Sequence, residues 1–135
     1  MILHPVAPRT IIRCDFSRGG FQEPEMIKAR PAVVISPRLP HRNGLCTVVP
    51  LSTSPPEYDV EYVVQLELDK PLPKPYDATV QWVKCDMIAT VSFQRLDMFR
   101  TERDQYGKRK YLQPKVSAAD FARIINGVKS ALGMP

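Results

Sequence analysis

The sequence predicts a single β-rich domain, residues 1–135, in which a small curled antiparallel sheet is followed by one C-terminal helix. Fourteen prolines against six glycines indicate short elements joined by stiff loops, because proline interrupts both helices and sheet ladders. Several short apolar runs are separated by turn residues, and helical periodicity appears only near the end of the chain. The length of 135 residues suits one domain with one core.

The first half of the chain predicts three strands. Thr10–Phe16 is rich in isoleucine and alternates weakly, which favours a first strand, and Ser17–Lys28 follows as a loop that contains glycines and a proline. Pro31–Ser36 and Leu45–Leu51 are continuous apolar runs, typical of strands buried on both faces. The Asn43-Gly44 dipeptide between them predicts that the two strands form a hairpin.

The second half predicts two further strands and a small hairpin. Asp59–Asp69 alternates between apolar and polar residues, which is typical of a half-buried strand. Thr79–Val91 is a β-rich run that contains the only tryptophan of the chain. Met98–Leu112 is polar and has a turn signal at Tyr106-Gly107, so it predicts a hairpin.

A helix is predicted after Ser117. This serine can cap the helix, with Asp120 three positions later. The apolar residues that fall on one helical face are Phe121, Ile124, Ile125, Val128 and Leu132. The sequence therefore predicts that this helix packs on the sheet.

Charge and composition restrict the class of protein. Nineteen lysines and arginines against fourteen acidic residues give a net charge of +5, which favours a polyanionic or acidic partner. Met1–Arg13 lacks the apolar run of a signal peptide and no stretch is long enough to span a membrane, so a cytosolic location is expected. Cys14, Cys46 and Cys85 lack the paired spacing of a zinc site, so we expect reduced, buried thiols. No metal or cofactor site is predicted.

Arg30 and Glu25 are the first candidates for chemistry. The chain contains only two histidines, His4 and His41, and neither has a partner in sequence, so catalysis would depend on carboxylates, arginine, lysine and hydroxyls. Arg30 immediately precedes a predicted strand, and the loop before it supplies Glu25. A guanidinium can hold a phosphate while a carboxylate moves a proton, although a surface ion pair is the alternative interpretation.

Two further groups lie on predicted strands or at their ends. Ser52 and Thr53 end the third strand and could contact a phosphate, or they could simply form a turn. Lys84 and Asp86 are two positions apart and share a predicted strand face with Trp82. That face could be the wall of a base-stacking groove; alternatively, Trp82 is in the core and a bulge redirects the charged pair.

The predicted hairpin is strongly basic. Its basic residues are Arg100, Arg103, Lys108, Arg109, Lys110 and Lys115, with Tyr106 and Tyr111 between them. Basic and aromatic side chains together can bind a nucleic-acid backbone and stack on its bases. A solvated hairpin tip is the alternative interpretation.

The order and spacing of several motifs resemble the MazF/PemK toxins of type II toxin–antitoxin systems. These motifs are Asp15-Phe16, then Glu25 to Arg30-Pro31 leading into an apolar strand, then Val48 to Thr53, and finally Lys84-Cys85-Asp86 through Gln94-Arg95-Leu96. The resemblance extends through most of the chain and includes the closing helix. It implies a curled sheet that resembles an SH3-like barrel.

The resemblance also implies an activity. Members of this family form homodimers, cut single-stranded RNA without a metal or cofactor, and are neutralised by a cognate antitoxin protein. Attack of the ribose 2′-hydroxyl on the adjacent phosphate leaves a 2′,3′-cyclic phosphate and a 5′-hydroxyl. The catalytic residues implied are Arg30, Glu25, Ser52 and Asp86. The RNA-binding residues predicted are Lys28, Thr53, Trp82, Lys84, Lys108 and Arg109.

Two positions depart from the family pattern. Lys84 stands where the PemK branch has arginine, and lysine is a point charge without the bidentate fork. Pro24 occupies the place of a histidine found in some members. These departures leave open a catalytically inactive RNA-binding relative. A second alternative on the same fold is a non-enzymatic toxin that binds gyrase as CcdB proteins do.

Overall fold

Nine short strands and one helix form the protein, as seen in a computed structural model that describes residues 1–135. The strands are β1 (Ile11–Asp15), β2 (Ala29–Val34), β3 (Leu45–Ser52), β4 (Val63–Glu67), β5 (Val80–Lys84), β6 (Ala89–Ser92), β7 (Leu96–Asp97), β8 (Phe99–Arg100) and β9 (Tyr111–Leu112). The helix is α1 (Ala118–Ala131), and a 3₁₀ turn at Phe93–Arg95 connects β6 to β7. The predicted antiparallel sheet with one C-terminal helix is confirmed.

Strand β3 connects the two parts of the sheet. One of its edges pairs with β2, in a register that puts Val33 opposite Val49. Along the other edge, the first half of β3 pairs with β6, whereas Leu51 and Ser52 pair with β5. The strand order is β4-β5-β3-β2-β1-β7, and β4 does not pair with β7. The sheet is therefore curled, as expected, and its edges do not close into a barrel.

Apolar side chains are buried on both faces of the central strands, as the continuous apolar runs predicted. Along β2, Val33 packs into the cluster that contains the helix residue Ile124, whereas Ala32 and Val34 pack into a second cluster on the opposite face. The second cluster also contains Cys14 and Cys46. The two clusters are separate because neighbouring residues of a strand point to opposite faces.

Helix α1 begins where the sequence predicts, because the Ser117 hydroxyl accepts a hydrogen bond of 3.0 Å from the backbone N–H of Asp120. The helix packs against the sheet through Ile124 and Gly127. A Cβ atom on Gly127 would lie 2.8 Å from the Sγ of Cys85, so glycine permits this close approach. Leu132 was expected on the buried face, but it is 60% exposed because it follows the last helical residue.

Two strand predictions require correction. Thr79–Val91 is not one strand: β5 and β6 are separated by a turn because they pair with different halves of β3. Asp59–Asp69 contains a shorter strand than expected, since only Val63–Glu67 lies against β5. The alternation within it is confirmed, with Val64 and Leu66 buried. The hairpin predicted over Met98–Leu112 is confirmed by the pairing of β8 with β9.

The three cysteines are free and buried, as expected. Burial in apolar surroundings raises the pKa of the Cys14 and Cys85 thiols to about 12, and it also raises the pKa of Cys46. All three are therefore protonated at neutral pH and serve as small core residues. Helix α1 is not long and apolar enough to cross a membrane.

Candidate active site

Two clefts contain five of the ten predicted site residues. The first, which we call the arginine cleft, has a volume of about 270 Å³ and is lined by Lys28, Arg30 and Thr53. The second, the carboxylate cleft, has a volume of about 340 Å³ and is lined by Glu25 and Asp86. The structure thus brings the cations to one cleft and the carboxylates to another.

Arg30 is the most unusual polar residue of the site. It lies within β2, opposite Cys14 in the ladder, rather than just before the strand as the sequence suggested. Its Nε is buried and has no hydrogen-bond partner. Arg42 also has a buried Nε without a partner, but the Nη2 of Arg42 donates to Ser36. A buried donor without an acceptor costs about 1–3 kcal/mol, so the geometry around Arg30 is incomplete without one.

Glu25 does not supply the missing acceptor. Its carboxylate accepts a hydrogen bond of 2.6 Å from the backbone N–H of Gln22, and its own N–H donates to the Gln22 carbonyl oxygen. No carboxylate lies within 4.0 Å of the Arg30 guanidinium. The surface ion pair considered for Glu25 and Arg30 is therefore not formed.

The wall of the arginine cleft is built by Tyr76 and Gln81, two residues that the sequence analysis missed. The Tyr76 hydroxyl donates to the carbonyl oxygen of Ala29, next to Arg30, over 3.4 Å. The Gln81 side chain is 1% exposed and donates to the carbonyl oxygens of Tyr76 and Ala78. Gln81 has the same strand parity as buried Val83, and a polar side chain at an inward-facing position was the signal that could have identified it.

The Ser-Thr-Ser sequence after β3 forms a turn. Ser52 is 6% exposed, and its hydroxyl accepts a hydrogen bond of 3.1 Å from the backbone N–H of Ser54. Thr53 is exposed and lines the arginine cleft. Of these two predicted residues, Ser52 therefore fixes the turn and Thr53 is available to a ligand.

The carboxylate cleft combines charge with apolar walls. Glu25 is exposed on the loop between β1 and β2, and Asp86 is exposed in the turn after β5. Most of the remaining wall is apolar and includes Phe16 and Phe21. Such a cleft can accept hydrogen bonds or a proton at its carboxylates while an aromatic ring packs on its walls.

Trp82 and Lys84 lie on the outer face of β5, because the alternate residues Gln81 and Val83 point inward. Trp82 is half-buried, and the Nζ of Lys84 donates to the Ser54 carbonyl oxygen over 3.2 Å. Trp82 is therefore not a core residue, and no bulge redirects Lys84. Asp86 lies beyond the end of the strand and does not share this face, which corrects the predicted grouping.

Lys108 and Arg109 are not part of either cleft. Both are exposed in the segment that joins β8 to β9. This hairpin forms a separate two-stranded sheet. These two predicted RNA-binding residues therefore belong to a different surface of the protein.

Arg95 fixes the loop that carries Glu25, a role that the sequence analysis did not assign. Its guanidinium donates to the carbonyl oxygens of Asp15, Arg18 and Gly19 over 3.1, 2.8 and 3.1 Å. It also lies 4.7 Å from the centre of the Phe21 ring, a wall of the carboxylate cleft. The only signal in sequence was its place in the Gln94-Arg95-Leu96 motif.

Asp15 also holds the start of the loop between β1 and β2. The Ser17 hydroxyl and backbone N–H both donate to its carboxylate, and these hydrogen bonds hold the pKa of Asp15 below its usual value. The start of the loop is therefore fixed from two sides, by the Arg95 guanidinium and by the Asp15 carboxylate. These contacts fix the start of the loop whose later residues line the carboxylate cleft.

The open curled sheet and its C-terminal helix have the fold of MazF-type proteins. An endoribonuclease from Mycobacterial species, solved with its cognate antitoxin, superimposes with a TM-score of 0.64 at 21% identity, covering 97% of this chain and 98% of that one. MazF from Deinococcus radiodurans superimposes with a TM-score of 0.61 at 18% identity, covering 97% and 99%. At these identities the likeness shows the fold alone.

The family is shown by sequence. A family model described as "PemK-like, MazF-like toxin of type II toxin-antitoxin system" matches residues 7–130, so the chain belongs to this family. An uncharacterized Haemophilus influenzae protein is 32% identical over 96 residues, which cover 64% of this chain and 65% of that protein. The putative uncharacterized protein YifN of Escherichia coli is 30% identical over 105 residues, which cover 76% and 67%. The matched segments thus span about two thirds of each relative's length.

We predict that Arg95→Ala loosens the loop between β1 and β2. Removing hydrogen bonds from a charged donor lowers the free energy of local opening by about 1–3 kcal/mol, so amide exchange in residues 17–25 becomes roughly 5- to 150-fold faster. Exchange in α1 should stay unchanged. Gln94→Ala, an exposed neighbour, is the matched control and should exchange like the wild type. Equal loop exchange in wild type and Arg95→Ala would show that Arg95 does not hold the loop.

Proposed function

We propose that this toxin is an endoribonuclease that cuts single-stranded RNA without a metal ion. The observation that carries the proposal is the buried, unpartnered Nε of Arg30 at a cleft shared with Lys28 and Thr53. The unpartnered arginine donor, the lysine and the threonine hydroxyl together suit a phosphate group, which offers several acceptor oxygens. The net charge of +5 favours a polyanionic substrate.

The proposed reaction is an internal transesterification. The ribose O2′ forms a bond to the adjacent phosphorus while the bond from phosphorus to O5′ breaks, leaving a 2′,3′-cyclic phosphate and a 5′-hydroxyl. The proton of the 2′-hydroxyl passes to Glu25, and the leaving O5′ takes up a proton from water. The phosphate gains negative charge in the transition state, and the fixed guanidinium of Arg30 stabilises that charge.

The reaction requires Glu25 and Arg30 to act on one nucleotide, because the 2′-hydroxyl and the phosphate that it attacks belong to the same nucleotide. Glu25 lies on the exposed loop five positions before Arg30, and we propose that this loop brings Glu25 to the phosphate held by Arg30 when RNA is bound. In this arrangement Asp86 orients the nucleotide in the carboxylate cleft. Ser52 holds the turn that presents Thr53 to the phosphate.

The outer face of β5 continues the substrate path. A half-buried tryptophan can stack on a base, and a lysine beside it can approach the next phosphate. Trp82 and Lys84 have this arrangement, with Lys84 held against the Ser54 carbonyl oxygen near the arginine cleft. We therefore assign both residues to RNA binding.

The proposed partners are a second copy of the chain and an antitoxin protein. The homodimer is proposed from membership of the MazF/PemK family. One similar structure is a MazE–MazF complex from Deinococcus radiodurans. We propose that a cognate antitoxin inserts an acidic, partly disordered segment into the cationic site, and that the toxin acts on mRNA in the cytoplasm until it is so blocked.

We predict that purified protein cleaves a long RNA in excess EDTA at the rate seen with Mg²⁺, because the charge on the phosphate is balanced by protein cations. The products should carry a 5′-hydroxyl and a 2′,3′-cyclic phosphate. A loss of cleavage in EDTA that Mg²⁺ restores would contradict the mechanism. RNA retention without cleavage would indicate an inactive RNA-binding relative, and neither binding nor cleavage would favour a gyrase-binding toxin.

We predict that Arg30→Ala lowers the cleavage rate about 10²- to 10³-fold, as expected for losing one transition-state contact. The melting temperature should stay within a few degrees of wild type, because the variant also removes an unsatisfied buried donor. Arg30→Lys should recover little, since lysine lacks a planar fork. Arg123→Ala is the matched control, because it removes an exposed arginine with a surface ion pair. Near wild-type cleavage by a folded Arg30→Ala protein would remove Arg30 from the mechanism.

A further inference from the structure

The β8–β9 hairpin carries much of the positive charge of the protein. Residues 100–110 contain five basic and two acidic side chains, a net charge of +3 against +5 for the whole chain. The basic residues are Arg100, Arg103, Lys108, Arg109 and Lys110, and the acidic ones are Glu102 and Asp104. This charge is concentrated at a surface outside the two clefts.

The tip of the hairpin is held by its own hydrogen bonds. The backbone N–H of Thr101 donates to the Lys110 carbonyl oxygen, and the Lys110 N–H donates to the Thr101 hydroxyl, both over 2.9 Å. The Asp104 carboxylate accepts from the backbone N–H groups of Tyr106 and Lys108 over 2.8 and 3.0 Å. Asp104 therefore shapes the turn through its Oδ1 atom, and its carboxylate forms no ion pair with a neighbouring cation.

The side chains at the tip are exposed to solvent and form no ion pairs. Tyr106 is 77% exposed, so its ring contributes little to folding. Lys108, Arg109 and Lys110 are exposed, and no carboxylate lies within 4.0 Å of their charged groups. At the base of the hairpin the arrangement differs, because Arg100 lies 5.1 Å from the centre of the Tyr111 ring and 3.9 Å from the Asp97 carboxylate. The tip thus combines an exposed ring with three unpaired cations on a preformed turn.

We propose that this hairpin is a second binding surface for single-stranded RNA, and that it binds nucleotides outside the cleavage site. Lys108, Arg109 and Lys110 contact consecutive backbone phosphates, and one base stacks on Tyr106. An acidic peptide would satisfy the cations, but it has no base to stack on an exposed ring held in a fixed turn. The proposal rests on the proposed RNA-cleaving function, and it makes affinity depend on RNA length.

The experiment compares RNA lengths. Wild-type protein is first used to map a cleavage site in a long transcript. Binding is then measured with non-cleavable 2′-O-methyl RNA centred on that site, one of about 4 nucleotides and one of about 20, since a single-strand binding module covers roughly 4–16 nucleotides. The variants are the triple Lys108→Ala, Arg109→Ala, Lys110→Ala, together with Tyr106→Ala and Tyr106→Phe. The control triple, Arg38→Ala, Lys70→Ala, Lys129→Ala, removes the same charge from exposed positions elsewhere.

The hairpin triple should weaken binding of the long RNA by at least about tenfold and reduce its salt slope by about 2, because each single-strand phosphate contact contributes about 0.7. Tyr106→Ala should weaken it by at least about fivefold, and Tyr106→Phe should retain it, because a phenyl ring still stacks. Every variant should bind the short RNA with an affinity within about twofold of wild type, because the short RNA does not reach the hairpin. For the same reason, every variant should cleave an unmodified short RNA at a rate within about twofold of wild type.

Three outcomes would overturn the proposal. The first is an unchanged affinity and salt slope of the hairpin triple for the long RNA. The second is an equal loss in the control triple, which would show that net charge alone matters. The third is a hairpin triple that keeps its RNA affinity but loses binding to an acidic peptide such as poly-glutamate, which would assign the surface to a protein partner. Cleavage by the wild type, measured in the first step, separates failure of this proposal from failure of the proposed function.

Discussion

The pairing of β3 with three other strands determines the relative positions of Arg30, Ser52 and Trp82. On one edge β3 holds β2, which carries Arg30, and its far end delivers Ser52 and Thr53 to the same side of the sheet. The same end pairs Ser52 with Trp82 of β5. The turn after β5 then leads to Asp86, at the other cleft. A register change in β3 would move all of these groups together, because a one-residue slip exchanges the two faces of a strand.

Within this framework the Nε–H of Arg30 is the donor that lacks an acceptor from the protein. An unsatisfied buried N–H destabilises a protein by about 1–3 kcal/mol, a large part of a typical folding stability of about 5–15 kcal/mol. The polar groups beside Arg30 do have hydrogen-bond partners. The Tyr76 hydroxyl donates to the Ala29 carbonyl oxygen, and the Gln81 side-chain amide donates to two carbonyl oxygens. The protein therefore pairs the groups around Arg30 while leaving the guanidinium available. This pattern is expected of a site that binds an anion from outside the chain.

Local patterns in the sequence were sufficient for most of the fold. The alternation around Val64, the apolar runs of β2 and β3, and the cap at Ser117 depend on neighbours in sequence, so they predicted the elements correctly. The division of Thr79–Val91 and the open edge of the sheet depend on which strand each segment meets in space, which no local pattern encodes.

The site was predicted less completely for the same reason. Spacing placed Glu25 near Arg30 in the chain, but a turn with Gln22 determines the direction of the glutamate. Arg95 reaches carbonyl oxygens 76 to 80 positions away, and backbone carbonyls have no residue type to recognise in a sequence. Residue types therefore indicated the chemistry of the site, whereas its division into two clefts required the folded chain.

The central claim is that the Nε–H of Arg30 binds a phosphate of the RNA. The most direct measurement is a ¹⁵N NMR titration of the arginine Nε–H groups with a non-cleavable 2′-O-methyl oligonucleotide. We expect the Arg30 Nε–H signal to move with a saturating curve, while that of exposed Arg123, which is outside both clefts, does not. If the oligonucleotide binds and the Arg30 signal stays in place at saturation, the Arg30 Nε–H does not bind the phosphate.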